Sequence, residues 1–199
     1  MNIPNILTVS RMVLIPIFLT FAILGNQSKN TDWYYGAALI FIISGITDFL
    51  DGYIARAKNQ ITKLGKILDP IADKLTMVTA LLVANCIGVL NISVTIIIVF
   101  LEVIIVIGNY LITHTRTKKL AISSRLIGKL KTSFQFVGFI FLFLGSANSK
   151  LWFLPQAPWF TPIITGQCLI YLSIILTILA MVDYARANIN LIHNFFKKF

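Results

Sequence analysis

Four aspartates stand close together in a chain that has few acidic residues. Of the seven Asp and Glu residues among 199, four fall within positions 48–73: Asp48, Asp51, Asp69 and Asp73. The first two are three residues apart and the last two are four apart, so each pair shares one face of a helix. Carboxylates grouped in this way predict either ion pairs with nearby cations or a site for a divalent metal ion.

The two interpretations differ in the source of the positive charge. Arg56 and Lys74 would neutralise two of the aspartates as ion pairs. For four carboxylates on two adjacent helix ends, a divalent ion is the better explanation. Because no histidine or cysteine lies nearby, the all-oxygen ligand set predicts one or two Mg²⁺ or Mn²⁺ ions.

The composition indicates that these aspartates belong to an integral membrane protein. Hydrophobic residues make up 57% of the chain and charged residues 12%, with a mean hydropathy of +0.86. Long apolar runs exclude disorder and disfavour an outer-membrane barrel. Six runs approach the roughly 20 residues of a spanning helix, with centres near residues 16, 42, 80, 102, 138 and 174. We therefore expect an all-α bundle of six transmembrane helices.

The net charge of +10 is explained by membrane topology and does not indicate binding to nucleic acid. On the six-helix layout, 15 of the 17 Lys and Arg residues fall on one side, and only Lys29 and Lys150 fall on the other. The positive-inside rule makes the basic side cytoplasmic, and an even number of spans places both termini there. Arg11 interrupts the first apolar run, which argues against a cleaved signal peptide, and we expect its side chain to snorkel toward the cytoplasm.

The turn residues and charges predict where the helices begin and end. The second span runs toward Arg56, the third follows Pro70, and a tight turn near Asn91 leads to the fourth. The stretch THTRTKKLAISSRLIGKLKT is interpreted as a basic cytoplasmic loop, so the fifth span is expected to cover Ser133 to Leu144.

The stretch DFLDGYIARAKNQITKLGKILDPIAD, residues 48–73, resembles the signature DxxDGxxARx8Gx3Dx3D of the CDP-alcohol phosphatidyltransferase family at all eight fixed positions. The opening NIPNILTVSR and the later GKLKT look like the bacterial phosphatidylglycerophosphate synthases of that family, which share the six-span layout. The resemblance implies a single phosphatidyltransferase transmembrane domain over residues 1–199, and a homodimer in the inner or plasma membrane.

The resemblance also implies an activity: transfer of the phosphatidyl group from CDP-diacylglycerol to an alcohol, with release of CMP. All four aspartates would hold one or two divalent ions on the diphosphate, with Asp73 as the general base. The CDP-diacylglycerol pocket would be lined by Asp48, Asp51, Gly52, Ala55, Arg56, Gly65 and Asp69. A site at the cytoplasmic face suits this chemistry, because one substrate is a lipid and the other is soluble in water.

The basic segment 116–131 favours a phosphorylated acceptor such as glycerol 3-phosphate. The residues predicted to bind its phosphate are Arg116, Arg125, Lys129 and Lys131. The alternative is that these cations follow topology alone and meet anionic lipid headgroups.

One departure from the family pattern keeps a second acceptor open. Phosphatidylglycerophosphate synthases usually carry an ARE tripeptide in the fourth span, where this chain has Phe100, Leu101 and Glu102. Cardiolipin synthases, which use phosphatidylglycerol as acceptor and share elements resembling SRLIGKLKT, are therefore the alternative. With either acceptor, Glu102 is expected to pair with a basic residue across the bundle in a structural role. A small ion-coupled transporter is a more remote alternative. Acids within a membrane often mark ion paths, but the acids of this chain gather at one membrane face, which argues against a path across it.

Overall fold

The computed structural model describes residues 3–28, 30–57, 65–114, 125–147 and 161–187, and its regular structure in these ranges is all-helical. Each helix covers the centre of one predicted apolar run, so the predicted all-α class is confirmed. The helices in chain order are α1 Ile3–Ser28, α2 Trp33–Ala57, α3 Gly65–Cys86, α4 Ile92–His114, α5 Arg125–Ser146 and α6 Pro162–Ala187.

Four of the described helices contain a stretch that is long and apolar enough to cross a membrane. These stretches are Ile6–Ser28, Trp33–Leu50, Leu126–Ser146 and Pro162–Arg186. Helix α4 adds a shorter apolar stretch, Ile92–Gly108, and α3 carries the charges of Asp69, Asp73 and Lys74 in its first half. The structure thus agrees with a membrane protein. The count of six spans and the cytoplasmic termini stay predictions.

Two helices begin earlier than the sequence predicted. Helix α3 begins at Gly65, so the helix extends to before the predicted start of the third span and Pro70 lies inside it. Pro70 is the sixth residue of α3, so it costs the helix one hydrogen bond, the one that an N–H at this position would donate to the carbonyl of residue 66. Helix α5 begins at Arg125 and not at Ser133. Its leucines and lysines are good helix formers, which outweighs the single Gly128.

The predicted turn near Asn91 is confirmed and separates α3 from α4. Gly88 has a φ of +82°, a left-handed conformation that glycine adopts without a Cβ clash. Its N–H donates to the carbonyl of Asn85 at 2.9 Å, and the N–H of Leu90 donates to the carbonyl of Ala84 at 3.2 Å. These bonds satisfy carbonyls at the end of α3, as in other helix C-terminal caps.

The chain folds as two compact units. The first comprises Met1–Asn91 and Phe139–Gln167, and the second comprises Ile92–Gly138 and Cys168–Phe199. In the first unit, α1 packs against α2 and α3. A buried ring cluster joins α1, α2 and the second half of α5, with ring centroids 5.2 to 6.0 Å apart, and consists of Phe18, Phe41, Phe139 and Phe143.

Candidate active site

Arg11 of α1 joins two of the predicted site aspartates. Its Nη1 atom lies 2.5 Å from Oδ1 of Asp48 on α2 and 2.5 Å from Oδ1 of Asp73 on α3. Because one nitrogen contacts both oxygens, the two carboxylates lie side by side. The spacing of the acids predicted this convergence of the end of α2 with the start of α3, and for these two residues it is confirmed.

A second donor from α1 reaches the third described aspartate. The hydroxyl of Thr8 donates a hydrogen bond to Oδ1 of Asp69 at 2.6 Å. Thr8 lies three residues before Arg11, so both project from one face of α1, and both are 1% exposed. One helix face therefore supplies donors to Asp48, Asp69 and Asp73.

The cluster has a closed side and an open side. The Arg11 side chain is 2% exposed, whereas the side chains of Asp48 and Asp73 are 47% and 52% exposed. The guanidinium thus backs the carboxylates from the interior, and their remaining surface faces outward. Arg11 and these three aspartates together carry more negative than positive charge, which is an environment that attracts cations.

The Arg11 side chain does not end in water, as a snorkelling side chain would, and its direction toward the cytoplasm stays a prediction. Its guanidinium is buried because two carboxylates receive it there, and an ion pair is the usual reason for a buried charge. Ion pairing of the aspartates had been predicted, but from Arg56 and Lys74. A usable signal was present in the sequence: an arginine within an apolar helix is expensive and so indicates an acidic partner elsewhere in the chain.

The other residues predicted to line the nucleotide pocket lie beside this cluster in the chain. Gly52 is part of α2 and is partly exposed, and Gly65 is the first residue of α3 and is buried. The side chains of Asp51, Ala55 and Arg56 lie outside the described residues. Among the side chains that the structure does describe, no three His, Cys, Asp or Glu residues are arranged to hold a metal ion. The metal site therefore stays a prediction.

Residues 1–179 match the family model of the CDP-alcohol phosphatidyltransferases. The chain belongs to this family. It is accordingly an enzyme that transfers phosphatidyl groups, as the signature at residues 48–73 predicted, and the resemblance to this family is confirmed.

The similarity to known proteins covers nearly the whole length of this phosphatidyltransferase. The chain is 30% identical over 190 residues to the CDP-diacylglycerol--glycerol-3-phosphate 3-phosphatidyltransferase of Rickettsia typhi. This alignment covers 94% of this chain and 96% of that protein. Proteins of the same name from Rickettsia bellii and Wigglesworthia glossinidia brevipalpis are 31% and 32% identical. The alignments cover 94% and 92% of this chain and 94% and 93% of those relatives.

Among the basic residues of this phosphatidyltransferase that were predicted to bind the acceptor, those that the structure describes belong to the second unit. Arg116 and the side chain of Arg125 lie outside the described residues. Lys129 is exposed on α5, whereas Lys131 is 7% exposed and its Nζ lies 2.5 Å from Oε1 of Glu102. The expectation that Glu102 pairs with a basic residue is confirmed. Binding of the acceptor phosphate by these cations stays a prediction.

Proposed function

We propose that this enzyme transfers the phosphatidyl group of CDP-diacylglycerol to glycerol 3-phosphate, giving phosphatidylglycerophosphate and CMP in phospholipid biosynthesis. The observation that carries the proposal is the meeting of Asp48, Asp69 and Asp73 at one face of α1. These are three of the four aspartates of the family signature. The choice of acceptor is supported by relatives from Rickettsia and Wigglesworthia that are named for glycerol 3-phosphate.

The donor chemistry of the cluster fits one or two Mg²⁺ or Mn²⁺ ions. Carboxylate oxygens are the ligands that these hard ions prefer, and Asp48 and Asp73 already share a cation, the Arg11 guanidinium. We assign the metal to Asp48, Asp51, Asp69 and Asp73. Bound there, a divalent ion would stabilise the negative charge that develops on the diphosphate during transfer.

The residues of the chain then have distinct tasks. The acceptor hydroxyl attacks the phosphorus that bears the diacylglycerol, a new P–O bond forms, and the bond to the departing CMP oxygen breaks. Asp73 takes the proton of that hydroxyl, for which its half-exposed carboxylate is accessible to a substrate. Gly52, Ala55, Arg56 and Gly65 would line the pocket for the cytidine diphosphate, as the family resemblance implies.

The acceptor phosphate is assigned to the basic segment that begins α5. Lys129 is the described cation best suited to this task because its side chain is exposed. Arg116, Arg125 and Lys131 complete the predicted set. A dianionic phosphate is recognised by several charge-assisted donors at once, and a lone ammonium would give little selectivity.

The membrane setting follows from charge and helix length. We propose a six-span, inner or plasma membrane enzyme with cytoplasmic termini, whose site faces the cytoplasm between the end of α2 and the start of α3. Four apolar helices of spanning length and the one-sided distribution of Lys and Arg support this topology. By analogy with the family, we expect a homodimer.

A product assay tests the function directly. The purified protein is supplied with CDP-diacylglycerol, Mg²⁺ and, in separate reactions, glycerol 3-phosphate, phosphatidylglycerol or glycerol, and the lipid products are identified by mass. The expected outcome is phosphatidylglycerophosphate, dependent on Mg²⁺ and abolished by a chelator. Cardiolipin made from phosphatidylglycerol would overturn the acceptor and favour the alternative suggested by Phe100, Leu101 and Glu102. No lipid product with any acceptor would overturn the transferase proposal itself.

A further inference from the structure

We propose that Thr8 and Arg11 are positioning residues that orient the signature aspartates for divalent ions. The inference rests on the metal-dependent function proposed above and extends it to residues outside the signature. Both side chains come from α1, which contributes no carboxylate to the cluster. Their role would be exerted through the aspartates, without contact to the substrate.

The geometry places the donors where they can fix carboxylate orientation. Each of these three contacts ends on an Oδ1 atom: Thr8 on Asp69, and Arg11 on Asp48 and on Asp73. A carboxylate has about four lone-pair positions on its two oxygens, so a donor on one side leaves acceptor capacity for a ligand on another. The half-exposed Asp48 and Asp73 present that remaining capacity to the open side of the cluster.

The charge of Arg11 also stabilises the cluster of aspartates when no metal ion is bound. Carboxylates from two different helices would repel each other if nothing positive lay between them, and the ends of α2 and α3 would separate. With the guanidinium in place, Asp48 and Asp73 are held close before any divalent ion arrives. Groups that hold metal ligands in this way usually contribute about 10- to 100-fold to metal affinity.

Metal-dependent thermal stabilisation of the full-length protein in detergent tests the proposal without using activity. Unfolding temperature is measured first with a chelator and then along a titration with MnCl₂, for wild type, Thr8→Val, Arg11→Gln and Arg11→Lys. The matched control is Thr20→Val, because Thr20 is an exposed α1 threonine whose hydroxyl donates to the carbonyl of Pro16.

We expect Thr8→Val and Arg11→Gln to raise the Mn²⁺ concentration for half-maximal stabilisation by about 10- to 100-fold. Arg11→Lys retains the charge and should recover part of that loss, and Thr20→Val should match wild type. Thr8→Val keeps every charge, so it remains informative if Arg11→Gln does not fold.

Two results would overturn the inference. If the variants unfold at a lower temperature but respond to the same Mn²⁺ concentration as wild type, Thr8 and Arg11 serve only the fold. If wild type itself shows no response to Mn²⁺ or Mg²⁺, the metal site fails, and the positioning role fails with it. The product assay distinguishes that outcome from loss of the transferase function, because it reports the reaction independently of metal-induced stabilisation.

Discussion

The ammonium of Lys131 lies 2.5 Å from the carboxylate of Glu102, and the two side chains are 9% and 19% exposed. The pair joins α5 to α4 within the second unit. Removing one partner from a buried ion pair leaves an uncompensated charge, which typically costs about 3–5 kcal/mol, whereas removing both is far milder.

Replacing Lys131 by Met should therefore lower the free energy of unfolding by about 3–5 kcal/mol, and Glu102→Gln should lower it comparably. The double variant should be more stable than either single variant. Unfolding of the purified protein in detergent measures all three against wild type. Single variants as stable as wild type would mean that the pair does not contribute to the fold.

Replacing Asp73 by Asn should reduce kcat by about 100-fold or more, because the acceptor hydroxyl loses its general base. Asparagine still offers an Oδ1 atom to Arg11, so the contact between α1 and α3 is retained and the protein should fold. The matched control is Asp32→Asn, an exposed acid before α2, which should leave turnover unchanged. Turnover of Asp73→Asn within tenfold of wild type would contradict the assigned role.

Replacing Lys129 by Ala should raise the KM for glycerol 3-phosphate much more than the KM for CDP-diacylglycerol. Lys129 gives a cleaner test than Lys131, because its side chain is exposed and Lys131 is engaged by Glu102. Lys150→Ala, on the opposite side of the predicted topology, serves as control. Equal changes in both constants would indicate a general effect on the membrane surface charge.

Replacing Gly25 by Ala should destabilise the contact between α1 and α2. A Cβ atom there would lie 2.8 Å from Cε1 and 2.9 Å from Cζ of the buried Tyr34 ring. Overpacking of this kind costs about 1–3 kcal/mol. Gly128→Ala is the matched control, since nothing lies within 4 Å of its Cβ and alanine favours a helix. An unfolding temperature of Gly25→Ala at or above wild type would contradict the close packing.

The sequence predicted the helices well because apolar runs of spanning length are a strong signal. It also brought Asp48 and Asp73 together, because each belongs to a pair that shares one helix face, and the two pairs lie on the facing ends of helices that follow each other in the chain. Helix starts were harder to predict. Lysines in SRLIGKLKT suggested a loop, although the same residues are good helix formers, and charge alone does not distinguish a loop from a helix end.

The partners of the aspartates could not be predicted from spacing. Arg11 and Asp73 are 62 positions apart, and Thr8 and Asp69 are 61 apart. Such contacts depend on which faces of α1, α2 and α3 meet, and spacing along the chain does not determine how each helix is rotated against the others. The position of Arg11 near the start of the first apolar run predicted a side chain at the membrane interface. Only the packing of α1 against α2 and α3 shows that this side chain is buried.

The cluster of Phe18, Phe41, Phe139 and Phe143 has a consequence for how this enzyme tolerates change. Phe18 lies two helical turns from Arg11 on α1, roughly 10 Å along the axis at 1.5 Å per residue. Its ring packs against Phe143 with centroids 5.2 Å apart. Densely packed interiors transmit displacements, so a cavity opened at Phe143 would shift α1 and carry Arg11 away from its carboxylates. Substitutions deep in the apolar interior would then appear as heat-sensitive catalytic defects, although no residue of the active site itself had been replaced.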